Sequence, residues 1–182
     1  MAGEVHAAGA LARSIQIAAA AQQVLGMTAR YCTERIQFGA PIATLQAVQQ
    51  QLAELAAETA AARGAVALAL TAATAGRTAG TDGAAGSLAG AATEIATAKA
   101  RTSQAAGIVA RIAHQLHGAI GVTREHSLQR YSRALWSWRE EYGPQAYWSQ
   151  VLADQLADQA GDLWGWLTAR DIGEGRRDIA SG

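Results

Sequence analysis

Three polar segments of this 182-residue sequence carry the side chains that could do chemistry: "RIQFG" from Arg35, "HQLHGAIGVTREH" from His114, and "WSWREEYGP" from Trp136. The first contains the only Phe, Phe38, and precedes one of only two prolines. His114 and His117 are three apart and share a helical face, but a zinc site needs further ligands, and none stands at a recognisable spacing. A di-metal carboxylate bundle needs Glu and His three apart on facing helices, and no Glu here has such a His, so no metal site is expected. Cys32, the single cysteine, has no base beside it and no partner for an internal disulfide; it is expected as a small apolar core residue in a reducing compartment. The serines do not sit in a strand-turn-helix elbow, so nucleophilic catalysis has no local signature. "AGRTAGTDGAAGSLAG", Ala75 to Gly90, holds five glycines but no Gly-Lys-Ser/Thr ending, and is expected to be a surface loop rather than a phosphate cradle.

Helices must position these segments. Residues 3–36 predict one long helix with Val5, Leu11, Ile15, Val24 and Leu25 on a broad face of small side chains. In the second, Leu45, Val48, Leu52, Leu55, Thr59, Ala62 and Val66 alternate by three and four, a seam for partner helices. Thr59 is its polar member, and its hydroxyl can bond back to a carbonyl of the preceding turn. A third helix, 91–117, repeats the seam with Ile95, Ala98, Ala105, Val109, Ile112 and Leu116 and stops at Gly118. A shorter helix near 125–136, a break at "REEYGP" and a last helix from Pro144 to about Thr168 follow. The expected fold is all-α: an antiparallel four-helix-type bundle with its last arm split in two, over residues 1–170, and a tail over 171–182.

Composition supports that class. Half of the residues are hydrophobic, many of them Ala, and few β-branched runs compete with helix. Lys plus Arg and Asp plus Glu are both 15, so no basic excess invites nucleic acid or an anionic membrane. No uninterrupted run approaches about 18 apolar residues, so no membrane span is expected. The N-terminus lacks the basic start and apolar middle of a signal peptide, and a cytoplasmic location is expected.

Two segments carry a family resemblance. "RYCTERIQFGAPIATLQAVQQQLAELAAE" resembles the C-terminal domain of acyl-CoA dehydrogenases, whose members carry Arg-x-Gln-Phe-Gly-x-Pro-Ile before a long helix. "AKARTSQAAGIVARIAHQLHGAIGVTREHSLQRYSRALWSW" is similar to that family's later Gln-x-x-Gly-Gly-x-Gly segment and the helix after it, with Ala119 where Gly is usual. The order and spacing match over nearly the whole chain.

The resemblance implies a domain of a FAD-dependent acyl-CoA dehydrogenase, which desaturates acyl-CoA thioesters between the α and β carbons. This domain would help to hold FAD at a subunit interface, as a homodimer or tetramer or with a partner subunit, and would need the family's N-terminal and middle domains for turnover. Arg35 would meet the cofactor's pyrophosphate or adenosine part through a guanidinium suited to phosphate. Gln37 and Phe38 would add a polar and an apolar contact, and Gln115, Gly118 and Gly121 would form the second cofactor segment. Many members place the catalytic carboxylate in a Tyr-Glu-Gly-Thr turn before the last helix; here Glu141 is the nearest candidate and Glu140 the next, both ahead of Tyr142. Each residue also has a structural reading. Arg35 could face a helix C-terminus, Phe38 could plug the core, the glycines could be helix stops, and the glutamates could be solvated charge. A second function class follows: a non-catalytic helical dimerisation module derived from the same fold.

Overall fold

A computed structural model describes residues 2–78, 88–123 and 126–158. Helix α1 (Ala2–Glu34) leads through two short strands, β1 (Ile36–Gln37) and β2 (Ala40–Pro41), and a 3-10 turn at Ile42–Thr44 into α2 (Gln46–Thr78). Helix α3 (Ala92–His117), a second 3-10 turn (Gly118–Val122), α4 (Leu128–Trp138) and α5 (Gln145–Asp158) complete the described elements. The all-α bundle with a split last arm is the observed architecture. Helix α2 runs to Thr78, beyond the first glycine of the expected loop. Residues 79–87 of that loop, the expected end of the last helix with Trp164 and Trp166, and the 171–182 tail lie outside the described residues.

The core follows the helical period. α3 is the central element and packs against α1, α2, α4 and α5. Its Ile95, Ala98, Ala105, Val109 and Ile112 are fully buried, as the seam predicts. On α2 the seam is buried from Leu55 through Thr59 and Ala62 to Val66, whereas Leu45, at its start, is 41% exposed. One core layer gathers Leu11, Ala62, Val66, Ile95 and Trp148, and a second gathers Ile17, Val24, Leu55, Val109, Leu128 and Leu135. Alanines between the larger residues let backbones approach and leave little room for water.

Buried hydroxyls are satisfied inside their own helices. Ser14, Thr28, Thr59 and Thr102 donate to the carbonyls of Ala10, Val24, Leu55 and Ala98, at 2.8, 2.7, 2.8 and 2.7 Å. Cys32 is buried, and burial pushes its thiol up, away from nucleophilic use. Alanine also raises the hydropathy of α2. Gln46–Ala75 is long and apolar enough by composition to cross a membrane, with mean hydropathy 1.2, although Glu54, Glu58 and Arg63 interrupt it. Its buried face here packs on α1 and α3.

Candidate functional site

The first polar segment is a β-hairpin, where a plain helix stop was expected. Ile36 pairs with Pro41 and Gln37 with Ala40, leaving Phe38 and Gly39 as a two-residue turn with φ of +54° and +83°. Positive φ at both central residues marks a type I′ turn, whose twist suits antiparallel strands. The Ile42 amide donates to the Arg35 carbonyl at 2.9 Å and closes the base. Gly39 fits its position; Phe38 does not, because a side chain there crowds the backbone at a cost of roughly 1–2 kcal/mol. Phe38 is also 92% exposed, so it plugs no core. The exposed Arg35 guanidinium has no ion pair among the described residues.

The second segment meets the hairpin. Gln37 and Gln115, 78 positions apart (115 − 37), line one cavity of ≈ 210 Å³ walled by Ile42, Leu45, Val48 and Leu116. Gln115 and Gly118 also line a neighbouring groove of ≈ 710 Å³ with Arg111, His114 and Trp136. Gln51, absent from the sequence expectations, lines the smaller cavity, and its Oε1 is buried without a hydrogen-bond partner among the described residues. Such an acceptor costs about 1–3 kcal/mol until something donates to it. No sequence signal separates Gln51 from Gln49 and Gln50 beside it; only the fold selects it.

The two glycines do different work. Gly118 adopts φ +62° and ψ −144°, a region open essentially to glycine alone, and so ends α3. Gly121 is buried, and a Cβ there would lie 2.9 Å from His117 Cβ and 3.1 Å from a Leu128 methyl. Its smallness serves internal packing.

Behind this turn, His117 stacks on Tyr31 with ring centroids 4.4 Å apart and meets His126 edge-on at 4.9 Å. Its Nδ1 lies 2.8 Å from the Ala113 carbonyl, which can only accept, so Nδ1 holds the proton and Nε2 is a buried acceptor without a partner. Burial lowers the pKa of His117, so it stays neutral at pH 7. Among the described residues no group of three or more His, Cys, Asp or Glu is arranged to hold a metal ion.

The third segment begins at Trp136, on the groove of Gln115 and Gly118, and its acidic turn has partners within the chain. Glu141 pairs with Arg13 at 2.5 Å and accepts from Ser137 Oγ at 3.0 Å, while Glu140 pairs with Arg139 at 2.7 Å. Tyr142 and Gly143 turn the chain with φ of +55° and +94°, and Trp148 Nε1 donates to the Tyr142 carbonyl at 2.8 Å. Gly9 leaves the notch that admits the Tyr142 ring, since a Cβ there would come within 2.2 Å of it. Lys99, fully buried, donates to Ser103 Oγ and the Arg139 carbonyl, both at 2.8 Å, and to the Trp138 carbonyl at 3.4 Å. It thereby covers the carbonyl end of α4. Burial brings its amine down to about 8 against the pull of Glu140 and Glu141.

The structure therefore brings Gln37 and Gln115 together, with Arg35 and Phe38 on the adjoining hairpin and Gly118 beside Gln115, whereas Glu141 is tied to Arg13, well back along α1. Arg13, the partner of Glu141, and Arg35 are separated by 22 residues of a chain segment that is nearly all α1, about 33 Å at 1.5 Å per residue.

Comparison with known proteins gives the same fold and family. The family described as "Acyl-CoA dehydrogenase, C-terminal domain" matches residues 4–157. The acyl-CoA dehydrogenase IpdE2 of Mycobacterium tuberculosis is 35% identical over 112 residues, covering 62% of this chain and 30% of that protein. IpdE2 of Mycolicibacterium smegmatis is 29% identical over 125 residues, covering 69% and 35%. This chain thus spans about a third of the length of these relatives. The ChsE4–ChsE5 complex of M. tuberculosis superposes with a TM-score of 0.73 at 26% identity, covering 84% of this chain and 38% of that one. An acyl-CoA dehydrogenase of Bacillus anthracis complexed with FAD shares the fold, with a TM-score of 0.81 at 22% identity over 87% of this chain and 28% of that one. The chain belongs to the acyl-CoA dehydrogenase family, and residues 4–157 form the C-terminal domain of that family.

Proposed function

We propose that the hairpin Arg35–Ile42 and the Gln115–Gly118 turn hold FAD where this domain meets another subunit or domain of a cytoplasmic acyl-CoA dehydrogenase. The observation that carries this reading is the shared cavity of Gln37 and Gln115, since two motifs far apart in sequence supply polar groups to one place. The residues fit the cofactor. Arg35 offers an uncommitted cation to phosphate, Phe38 a bare aromatic face, and Gln37 and Gln115 neutral amides. When bound, FAD supplies the hydride acceptor for desaturation of an acyl-CoA thioester. This chain's part is to bind and orient, and the remaining domains, from the same polypeptide or a partner subunit, complete the pocket. The ChsE4–ChsE5 complex pairs two differently named chains, which supports a partner subunit; pairing with a second copy of this chain would serve the same surface.

Glu141 is read here as a tie between α1 and the end of α4 rather than as the base, because Arg13 and Ser137 hold it far from Arg35. Glu140, paired with its neighbour Arg139, is no better placed. These contacts support a chain that binds cofactor and assembles while leaving proton abstraction to another chain or domain; the second reading, a non-catalytic helical dimerisation module, shares the absence of a base here but predicts no flavin. Flavin absorbance retained through gel filtration of the assembled protein tests the proposal. Arg35→Ala is expected to strip the flavin at concentrations where the parent keeps it; equal retention by both overturns the assignment.

A further inference from the structure

Resting on the flavin reading above, we propose that His117 is the positioning residue that holds the two cofactor segments together while its imidazole is neutral, so that acid opens the Gly118–Val122 turn and releases the flavin. The ring stands where both segments begin. It stacks on Tyr31, in the last turn of α1, with centroids 4.4 Å apart, and the Tyr31 hydroxyl donates to the His117 carbonyl at 3.4 Å. The Tyr31 carbonyl in turn accepts from the amide of Arg35, the first residue of the hairpin segment, at 2.9 Å, and His117 directly precedes Gly118. Gly121 closes over the ring: a Cβ added there would lie 2.9 Å from His117 Cβ and 3.4 Å from His114 Nδ1. A shift of this one ring therefore reaches both halves of the site.

Its surroundings accept the neutral ring and refuse the charged one. Nδ1 already donates to the Ala113 carbonyl, so an added proton goes to Nε2, which is buried without an acceptor among the described residues. The titratable groups that face the ring are Tyr31 from α1, His114 one turn back on α3, and His126 from the segment leading into α4. The charges that bear on His117 among the described residues come from His126 and His114 and have its own sign, so neither offsets a buried cation. Opening the turn gives Nε2 to water and restores the ordinary value of 6.5. Burial holds the closed form below that value, so beneath pH 6.5 the open form binds the proton first. The closed form then loses ground by about tenfold per pH unit until its own lowered value is reached, whereas above pH 6.5 both forms are neutral and the contact is fully held.

The test follows the assembled protein from about pH 8 to about pH 5. FAD affinity is read by flavin fluorescence titration, and opening by amide hydrogen exchange over residues 115–122 in the cofactor-free assembly, expressed as protection relative to the free-peptide rate. In the parent, affinity and protection should fall together below pH 6.5, by up to about tenfold per unit. His117→Asn keeps a donor for the Ala113 carbonyl but nothing to protonate, and should flatten both curves. His117→Phe keeps the stack on Tyr31 and should flatten them equally, which serves if the shorter side chain does not fold. His114→Gln should retain the acid limb. Flat curves in the parent, an acid limb that survives in the His117 variants, or one that disappears in His114→Gln overturn the inference, as does a turn that opens in acid while FAD affinity stays level. If protection follows acid through His117 but the assembly takes up no FAD at any pH, the hold on the turn stands and the flavin reading falls. If FAD binds with no acid limb, the flavin reading stands and the role of His117 falls.

Discussion

The hairpin region and the Glu140–Gly143 turn are both polar interruptions of helix, yet they satisfy their groups in opposite ways. At the turn, partners in the chain are supplied by Lys99, Ser103, Arg13 and Trp148, which come from three different helices. At the hairpin, Arg35 is exposed without an ion pair among the described residues, Phe38 stands in solvent, and Gln51 keeps a buried oxygen unmatched. A polar cluster that closes on itself stabilises the fold. One left open, at some cost in backbone strain, keeps its polar groups available to a ligand or partner. The segment with the more obvious acid-base residues makes internal contacts, and the segment with a lone Phe is the candidate site.

Substitutions at the two regions should separate binding from stability. Arg35→Ala is expected to weaken FAD binding in the assembled protein by tenfold to a hundredfold, roughly 1.5–3 kcal/mol for a charged hydrogen-bonding contact, with unfolding changed by less than about 0.5 kcal/mol. Flavin fluorescence titration beside urea unfolding measures both, and a loss of stability that matches the loss of binding would erase the contrast. Lys99→Met should show the reverse, costing about 1–2 kcal/mol of unfolding free energy at pH 7 through the uncovered carbonyls of α4 and leaving flavin affinity alone.

Lys99 also predicts a pH dependence. Its folded pKa is lowered from 10.5 to about 8, so between those values the unfolded chain binds more protons and parent stability rises with pH. Below pH 8 the cost of burying the charge is fully present. Denaturant melts at pH 8, 9 and 10 should show this rise in the parent and not in Lys99→Met; parallel curves would mean that the buried amine is not the titrating group.

Phe38→Asn sharpens the contrast within one residue. Asn tolerates positive φ, so unfolding free energy should increase by about 1 kcal/mol while flavin retention or subunit association declines. A variant that becomes more stable and still holds flavin would remove Phe38 from the site. The smallest effect belongs to Glu141→Gln. Its ion pair is partly exposed and screened, so about 0.5 kcal/mol of stability is expected to be lost, less in high salt, with turnover of the complete enzyme preserved. Abolished turnover at unchanged stability would restore Glu141 as the base.

Much of the fold was legible before the structure because helix periodicity is local. Burial of Leu55, Thr59, Ala62 and Val66, or of Ile95, Ala98 and Ala105, repeats every three or four residues, and any stable packing must cover that stripe. The stop at Gly118 was equally local, since its backbone conformation belongs to glycine. The hairpin was harder to see: Phe-Gly is a poor I′ turn sequence, and strands two residues long leave no alternating pattern. The spacing of the polar segments likewise carried no distances. Whether Glu141 lies beside Arg35 or some 33 Å of helix away depends on how α4 crosses α1.

By itself, then, the sequence determined the helices and their buried faces, since residue type and short-range spacing suffice for those, while the residues proposed to meet a dinucleotide came from the family resemblance. Only the tertiary structure decided which of those residues share a surface. It drew Gln51 into the cavity of Gln37 and Gln115 and gave Glu141 to Arg13. The physical reason is that a polar group's role depends on whether a partner reaches it, and those partners come from helices remote in sequence.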